Sequence, residues 1–368
     1  MSKTTENHAM TVPAGGVPER RMTRRMLWMK RLPHLAWLLL LVPFSWSDYN
    51  MSQASAVVVL IIVAVGYNLI VGYSGQFVMF SAAMVGIGAY GMAWLLEQGI
   101  AWPIDLLAVM AATGAAGYLV GAATVRFQGI YLALVSVGLS QAVGVVLSNW
   151  TVTGGENGLA VPNISLGGSN PPSAAAIYFL VLLMTAVSLL VAWRLTSSQW
   201  ARNLKAVSHN EIAAMASGIN AASVRRSAVG VGSIYWGLAG GLSAIVAGYL
   251  SPDDYSLTQS TSHLAMIVVG GLGTFAGPVI GAVVLGAIPD FLKFSNGYQT
   301  LLFAGILYLV VLAYPGGLHE GFVRTGRLIG RRLGLAEAAL PEEAEIVLGA
   351  GTADQGNVPG AADSGILT

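Results

Sequence analysis

The sequence predicts an all-α integral membrane protein of about ten transmembrane helices. Three observations carry that expectation. Of the 368 residues, 55% are hydrophobic and only 10% are charged, against roughly 25% charged in an average soluble domain. That composition excludes a soluble globular chain. The apolar residues, about 202 if 55% of 368 are counted, suffice for about ten spans of ~20 residues each. The charges, finally, are confined to the ends of long uncharged runs and separate by sign. Glycine, at 46 residues, sits largely inside the apolar runs, where it lets helices approach closely. There is no cysteine, so disulfides and thiolate metal sites are excluded.

A charge at the bilayer centre costs roughly 2.5–3.5 kcal/mol on insertion scales, so uncharged runs mark the segments that can enter lipid. Residues 1–31 are polar and end in a basic cluster, which makes them a cytoplasmic N-terminus. Leu32–Ser47 follows with 16 uncharged residues and no small-x-small cleavage pattern, so it reads as an uncleaved first span. Tyr49–Leu96 is 48 residues long and holds two spans, broken at Gly72-Tyr73-Ser74-Gly75-Gln76, which is turn chemistry. Leu106–Val125 and Phe127–Gly155, of 20 and 29 residues, hold one span each. Asn157–Trp193 opens with a Pro- and Gly-containing loop, Val161–Ser173, and then holds the sixth span. Ser227–Pro252 holds the seventh and Phe294–Leu318 the tenth. Between them, the 35 residues of Tyr255–Pro289 hold one long span or two short ones separated at Gly270–Pro278.

The positive-inside rule decides that count, because each span flips the side of everything downstream. With ten spans, 17 of the 18 Lys and Arg fall on one side, and only Lys293 falls on the other. Asp48, Glu97, Asp105, Glu156, Asp253, Asp254 and Asp290 gather opposite. Both termini are therefore expected in the cytoplasm. The organisation is a polar segment (1–31), a transmembrane domain (32–318) with a cytoplasmic loop at 194–226, and a C-terminal segment (319–368). That last segment carries six acidic and no basic residues after Leu333 and is expected to be a disordered tail.

Ion-coupled carriers place ionisable groups inside the bilayer. Here almost all lie at span ends, and His263, near the start of the eighth span, reads as an interfacial hydrogen-bonder rather than a relay. No G-x-x-x-x-G-K-[ST] loop, H-E-x-x-H motif or nucleophile elbow is present. The chain is thus not expected to be an enzyme, to hydrolyse ATP or to bind a cofactor of its own. Gly117 and Gly121, and Gly273, Gly277 and Gly281, recur every four residues; this small-xxx-small spacing suits helix packing or sliding during gating. Asn68, Gln76, Ser81, Ser140, Gln141 and Gln259 are uncharged polar residues at or near membrane depth. They either line a translocation path or bond between helices, with Asn68, Gln76, Ser81 and Gln141 the path candidates.

The loop 194–226 is far longer than its neighbours, which is a reason to look for function there. Ser208-His209-Asn210-Glu211 fits an S-x-x-E capping box. A helix of about two turns is expected over Ile212–Ser217, closed by Gly218. A helix this short must dock, either on the chain's own cytoplasmic surface or in a groove of a soluble partner that receives Ile212, Ala213, Ala214 and Met215.

Several stretches resemble one family in order and spacing: Asn68–Gln76, Gly86–Tyr90, Gly129–Leu134, Thr153–Leu159, Asn210–Ala214 with Gly218–Asn220, and Val268–Thr274 with Gly277-Pro278. Over about residues 35–320 the chain is similar to LivM-type permeases of branched-chain amino acid ABC importers. The resemblance implies a type II-like importer architecture in the bacterial inner membrane. It also implies a second homologous permease subunit, two ATPase subunits that use ATP on the cytoplasmic face, and an extracytoplasmic solute-binding protein. Membrane lipid surrounds the spans, and nothing points to nucleic acid. By the same resemblance Ser208, Asn210, Glu211 and the helix up to Gly218 form the segment that transmits ATPase motion. One stretch departs from the family: Val78-Met79-Phe80-Ser81-Ala82 stands where a small, polar run with a histidine is usual, Ser81 taking the histidine's place. Scarce buried charge fits a neutral or zwitterionic solute, foremost a hydrophobic amino acid. The alternatives are a gradient-driven carrier or channel acting without an ATPase, and a non-transporting scaffold.

Overall fold

The computed structural model describes residues 47–127, 129–164 and 172–291, with single positions at 305, 308, 312, 317 and 318. The N-terminal segment, the expected first span, most of the tenth, Lys293 and the acidic tail lie outside the described residues. Helix α1 (Asp48–Asn68) continues into a π-helical turn at Leu69–Tyr73. Then follow α2 (Ser81–Glu97), α3 (Trp102–Thr124), α4 (Ile130–Asn149) and α5 (Ala174–Thr196). In the long loop after α5 lie α6 (Gln199–His209) and α7 (Glu211–Ala216). The described chain closes with α8 (Ala221–Ala247), α9 (Leu257–Gly270) and α10 (Gly277–Phe291). One small antiparallel pair, β1 (Leu159–Ala160) with β2 (Tyr249–Leu250), joins two loops.

The fold is all-α and membrane-embedded. Five described helices are long and apolar enough to cross a bilayer: α1 with its π turn, α3, α4, α5 and α8. The third and eighth expected spans come out shorter, at 17 and 14 residues, where a ~30 Å hydrocarbon core takes about 20 residues. For α2 the cause is visible. Residues 75–80 leave the helix and run irregularly into the bundle. Val78 and Phe80 are buried, the Tyr67 hydroxyl donates to the Val78 carbonyl, and Phe80 meets Trp236 edge-on at 5.5 Å. Such irregular backbone is tolerated at membrane depth only where protein covers it, and here Tyr67 and Trp236 do so.

Helix α8 is the central element. Glycine on one helix stands against backbone on the next, so the helices approach until main chains touch. A Cβ on Gly240 would overlap the carbonyl of Val85, and one on Gly88 would lie 2.9 Å from the carbonyl of Gly237. Gly66 faces Tyr235 and the carbonyl of Gly232 across α1–α8 in the same way. Gly117 and Gly121 of α3 meet Ser233, Val229 and Arg226 of α8, as the four-residue spacing predicts. The second glycine series needs correction. Gly277 and Gly281 lie on α10 and close on Gly270 and Met266 of α9, but Gly273 is not on that helix face. It sits in the connecting turn with φ +69°, a backbone that L side chains rarely adopt.

Helix α8 also starts earlier than the charge gaps suggest. Asn220 caps it by accepting from the Ser223 N–H, so Arg225 and Arg226 are helical and project from its first turns. Asp105, expected at a span end, occupies the first turn of α3 and is fully buried, with neither carboxylate oxygen hydrogen-bonded among the described residues. The positive end of the α3 dipole favours a carboxylate there.

Candidate functional site

Two regions stand out, one at each end of the bundle. At the first end, α1, α8, α9 and the turn Pro252–Tyr255 enclose a cavity of about 470 Å³. Its lining joins polar side chains, Gln53, Ser243, Asp254, Tyr255 and Gln259, with apolar ones, Val59, Val63, Val85 and Val246. Among the described residues, Asp254 is the one Asp, Glu, Lys or Arg that lines it. Burial raises the Tyr255 hydroxyl well above the usual phenol range, the Ser243 contact opposing it, so this group faces the cavity uncharged.

His263 closes the inner end and is 2% exposed. Its Nδ1 lies 3.1 Å from the Ser81 hydroxyl and its Nε2 3.4 Å from the Gln259 amide nitrogen. It is a buried crosslink between α2 and α9 rather than an interfacial group. Ser260, one turn away, accepts from the Ala82 N–H at 3.0 Å, and Ser136 of α4 accepts from the Met79 N–H at 2.9 Å. A helix start leaves N–H donors without an intrahelical partner, and here serines of two other helices accept from the Ala82 N–H and from that of Met79 just before the helix. Ser81 therefore adjoins the cavity through His263. The other path candidates sit elsewhere. Asn68 donates to the Thr274 carbonyl at 2.8 Å and accepts from the Gly273 N–H at 2.9 Å. Gln76 donates to the Ser74 hydroxyl at 2.7 Å and the Arg225 carbonyl at 3.1 Å. Gln141 is exposed on α4, whereas Ser140 beside it is buried.

At the opposite end, the turns 72–76 and 271–276 lie together through Asn68 and are joined by the long loop. Here α6 is an element that the sequence reading passed over. Its buried face, Ala201, Leu204 and Val207, packs inward. Trp200 Nε1 donates to Ser227 at 2.9 Å, and Lys205 Nζ lies 4.8 Å above the Tyr73 ring. The expected capping box is corrected by this helix. Ser208 is still helical within α6, so it cannot cap the next helix; it packs instead against Gly75, where a Cβ would lie 2.7 Å from its Oγ. The cap is Asn210, whose backbone is extended (φ −154°, ψ 102°) and whose Oδ1 accepts from the Ala213 N–H at 3.0 Å.

The short helix forms where expected, as Glu211–Ala216, with Gly218 left-handed at φ +82° beyond it. The Gly218 N–H bonds to the Met215 carbonyl and the Ile219 N–H to that of Ala214, which closes the helix. Ala214 alone is buried, against Val207 and Ala221. Glu211 Oε2 pairs with Arg225 at 2.8 Å. Outward stand Ile212, 78% exposed, and Met215, 50% exposed. The helix thus docks on its own chain by Ala214 and the Glu211–Arg225 pair and presents its large apolar side chains outward.

A family model described as the permease component of a branched-chain amino acid transport system matches residues 51–312. The chain belongs to this family. As a permease component it is a transport protein and not an enzyme, and no group of His, Cys, Asp and Glu able to hold a metal occurs among the described residues. It is 31% identical over 304 residues to the LivM permease protein of the high-affinity branched-chain amino acid transport system of Escherichia coli, covering 75% of this chain and 71% of the relative. The corresponding LivM protein of Salmonella typhimurium is 30% identical over 302 residues, with the same coverage. The LivH permease protein of Salmonella typhimurium is 24% identical over 277 residues, covering 70% of this chain and 90% of the relative. An autoinducer 2 import system permease protein, LsrC of an Enterobacter species, is 25% identical over 280 residues, covering 74% and 80%. No solved structure matches the chain.

Proposed function

We propose that this permease is the membrane subunit of an ABC importer of LivM type in the bacterial inner membrane. It has ten spans, both termini lie in the cytoplasm, and separate ATPase subunits drive it. Its partners are those ATPases, a second homologous permease subunit and an extracytoplasmic solute-binding protein. The solute is small and neutral or zwitterionic, foremost a branched-chain or other hydrophobic amino acid. Relatives that serve branched-chain amino acid transport support this reading, as does a cavity lined by polar side chains and valines.

The observation that carries the proposal is the outward face of α7. A helix of six residues is far below the ~12–15 that an isolated helix needs, yet it leaves Ile212 and Met215 in solvent. An ATPase groove that covers them supplies the missing burial. Push on α7 then reaches the spans through named contacts. Glu211 holds Arg225, the Arg225 carbonyl holds Gln76, and Ser208 abuts Gly75. Asn68, one turn before Gly72, clamps the turn that joins α9 to α10. Tight glycine contacts between α9 and α10 suit small sliding motions as well as packing.

Reconstitution in liposomes tests the reading. Solute uptake is expected only with ATPase subunits and ATP present, and flux through the purified chain alone would favour a gradient-driven carrier or channel instead.

A further inference from the structure

Among the described residues that line the cavity, Asp254 alone of the Asp, Glu, Lys and Arg side chains is present, and it is exposed. Resting on the permease reading above, we infer that Asp254 selects solutes carrying an ammonium group and that the cavity turns away anions.

The neutral polar groups around Asp254 fit a head group and no more. The Gln53 amide already donates to the Tyr49 hydroxyl at 3.0 Å, and Gln259 is engaged with His263 at 3.4 Å. An incoming ammonium meets the Asp254 carboxylate, while the apolar portion of the solute lies against Val59, Val63 and Val85. A solute with an apolar tail and only a carboxylate meets like charge at Asp254. Like charges brought close at a protein surface repel strongly enough to discriminate at least severalfold. Asp253, the neighbouring acid, does not line the cavity and provides a charge-matched control.

Thermal shift of the purified full-length chain in detergent tests the assignment with two probes of one carbon skeleton. These are 3-methylbutylamine, which carries only the ammonium, and 4-methylpentanoate, which carries only the carboxylate. The amine is expected to raise the melting temperature dose-dependently and the carboxylate to do so at least tenfold more weakly. Asp254→Asn should remove the difference, while Asp253→Asn keeps it. Equal responses to the two probes, no response to the amine, or an unchanged preference in Asp254→Asn would overturn the assignment. ATP-driven uptake is measured separately. Loss of the amine preference with uptake intact removes the selectivity role and leaves the permease reading, and the converse result removes the permease reading alone.

Discussion

The hydroxyl of Ser81 and Nδ1 of His263 lie 3.1 Å apart although 182 residues separate them. The contact joins the buried start of α2 to the inner end of the cavity. A double-mutant cycle with Ser81→Ala and His263→Ala should show positive coupling of about 0.6 kcal/mol in thermal or denaturant unfolding, the average for such pairs in membrane helices. Strictly additive effects would mean that the two side chains do not bond.

Backbone contact along α8 makes a sharper contrast. Gly240→Ala drives a Cβ into the Val85 carbonyl, whereas Gly138→Ala on α4 meets nothing within 4 Å. Overpacking costs about 1–3 kcal/mol, so the first variant should lose folded yield on size-exclusion chromatography and the second should behave as wild type. Equal yields would contradict the packing described for α2 and α8.

The cap of α7 is open to a direct comparison. Asn210→Ala removes the acceptor for the Ala213 N–H and should cost about 1 kcal/mol of local stability, seen as faster hydrogen exchange over residues 211–217. Ser208→Ala should leave that exchange unchanged. The opposite ranking would restore the Ser208 capping box.

Asn68 makes two hydrogen bonds to the turn between α9 and α10. Asn68→Leu leaves a partly buried carbonyl and N–H without that partner, a penalty of at most about 1–3 kcal/mol each. Exchange protection in residues 271–276 should fall, and ATP-driven uptake should fall with it if the turn belongs to the moving part.

Much of this was legible in the residues. Runs without charge located α1, α3, α4, α5 and α8, since lipid and bundle interior impose the same apolar demand. Gly117 and Gly121 were legible because spacing by four fixes a helix face. Helix α6 was also legible: Trp200, Leu204 and Val207 recur on one face, with Arg202 and Lys205 on the other. The length of the loop hid it. What spacing could not supply was partnership across the chain. Asn68 and Gln76 carry the same side-chain chemistry whether they line a path or tie down a turn. Their backbone partners, Gly273, Thr274 and Arg225, lie between 149 and 206 residues away. Ser208 looked like a cap because Glu211 follows at the right interval. Asn210, with an extended backbone and a nearer acceptor, takes that role.

Energy transfer through the exposed face of α7 is the central claim, and ATP-driven uptake by the reconstituted complex tests it most directly. Replacing Ile212 and Met215 together by Asp keeps the inward contact of Ala214, so the permease should fold and its partner subunits should still express. The account predicts uptake reduced to the level seen without ATP, with ATPase subunits no longer retained on the permease. Uptake at the wild-type rate in Ile212→Asp/Met215→Asp would contradict it.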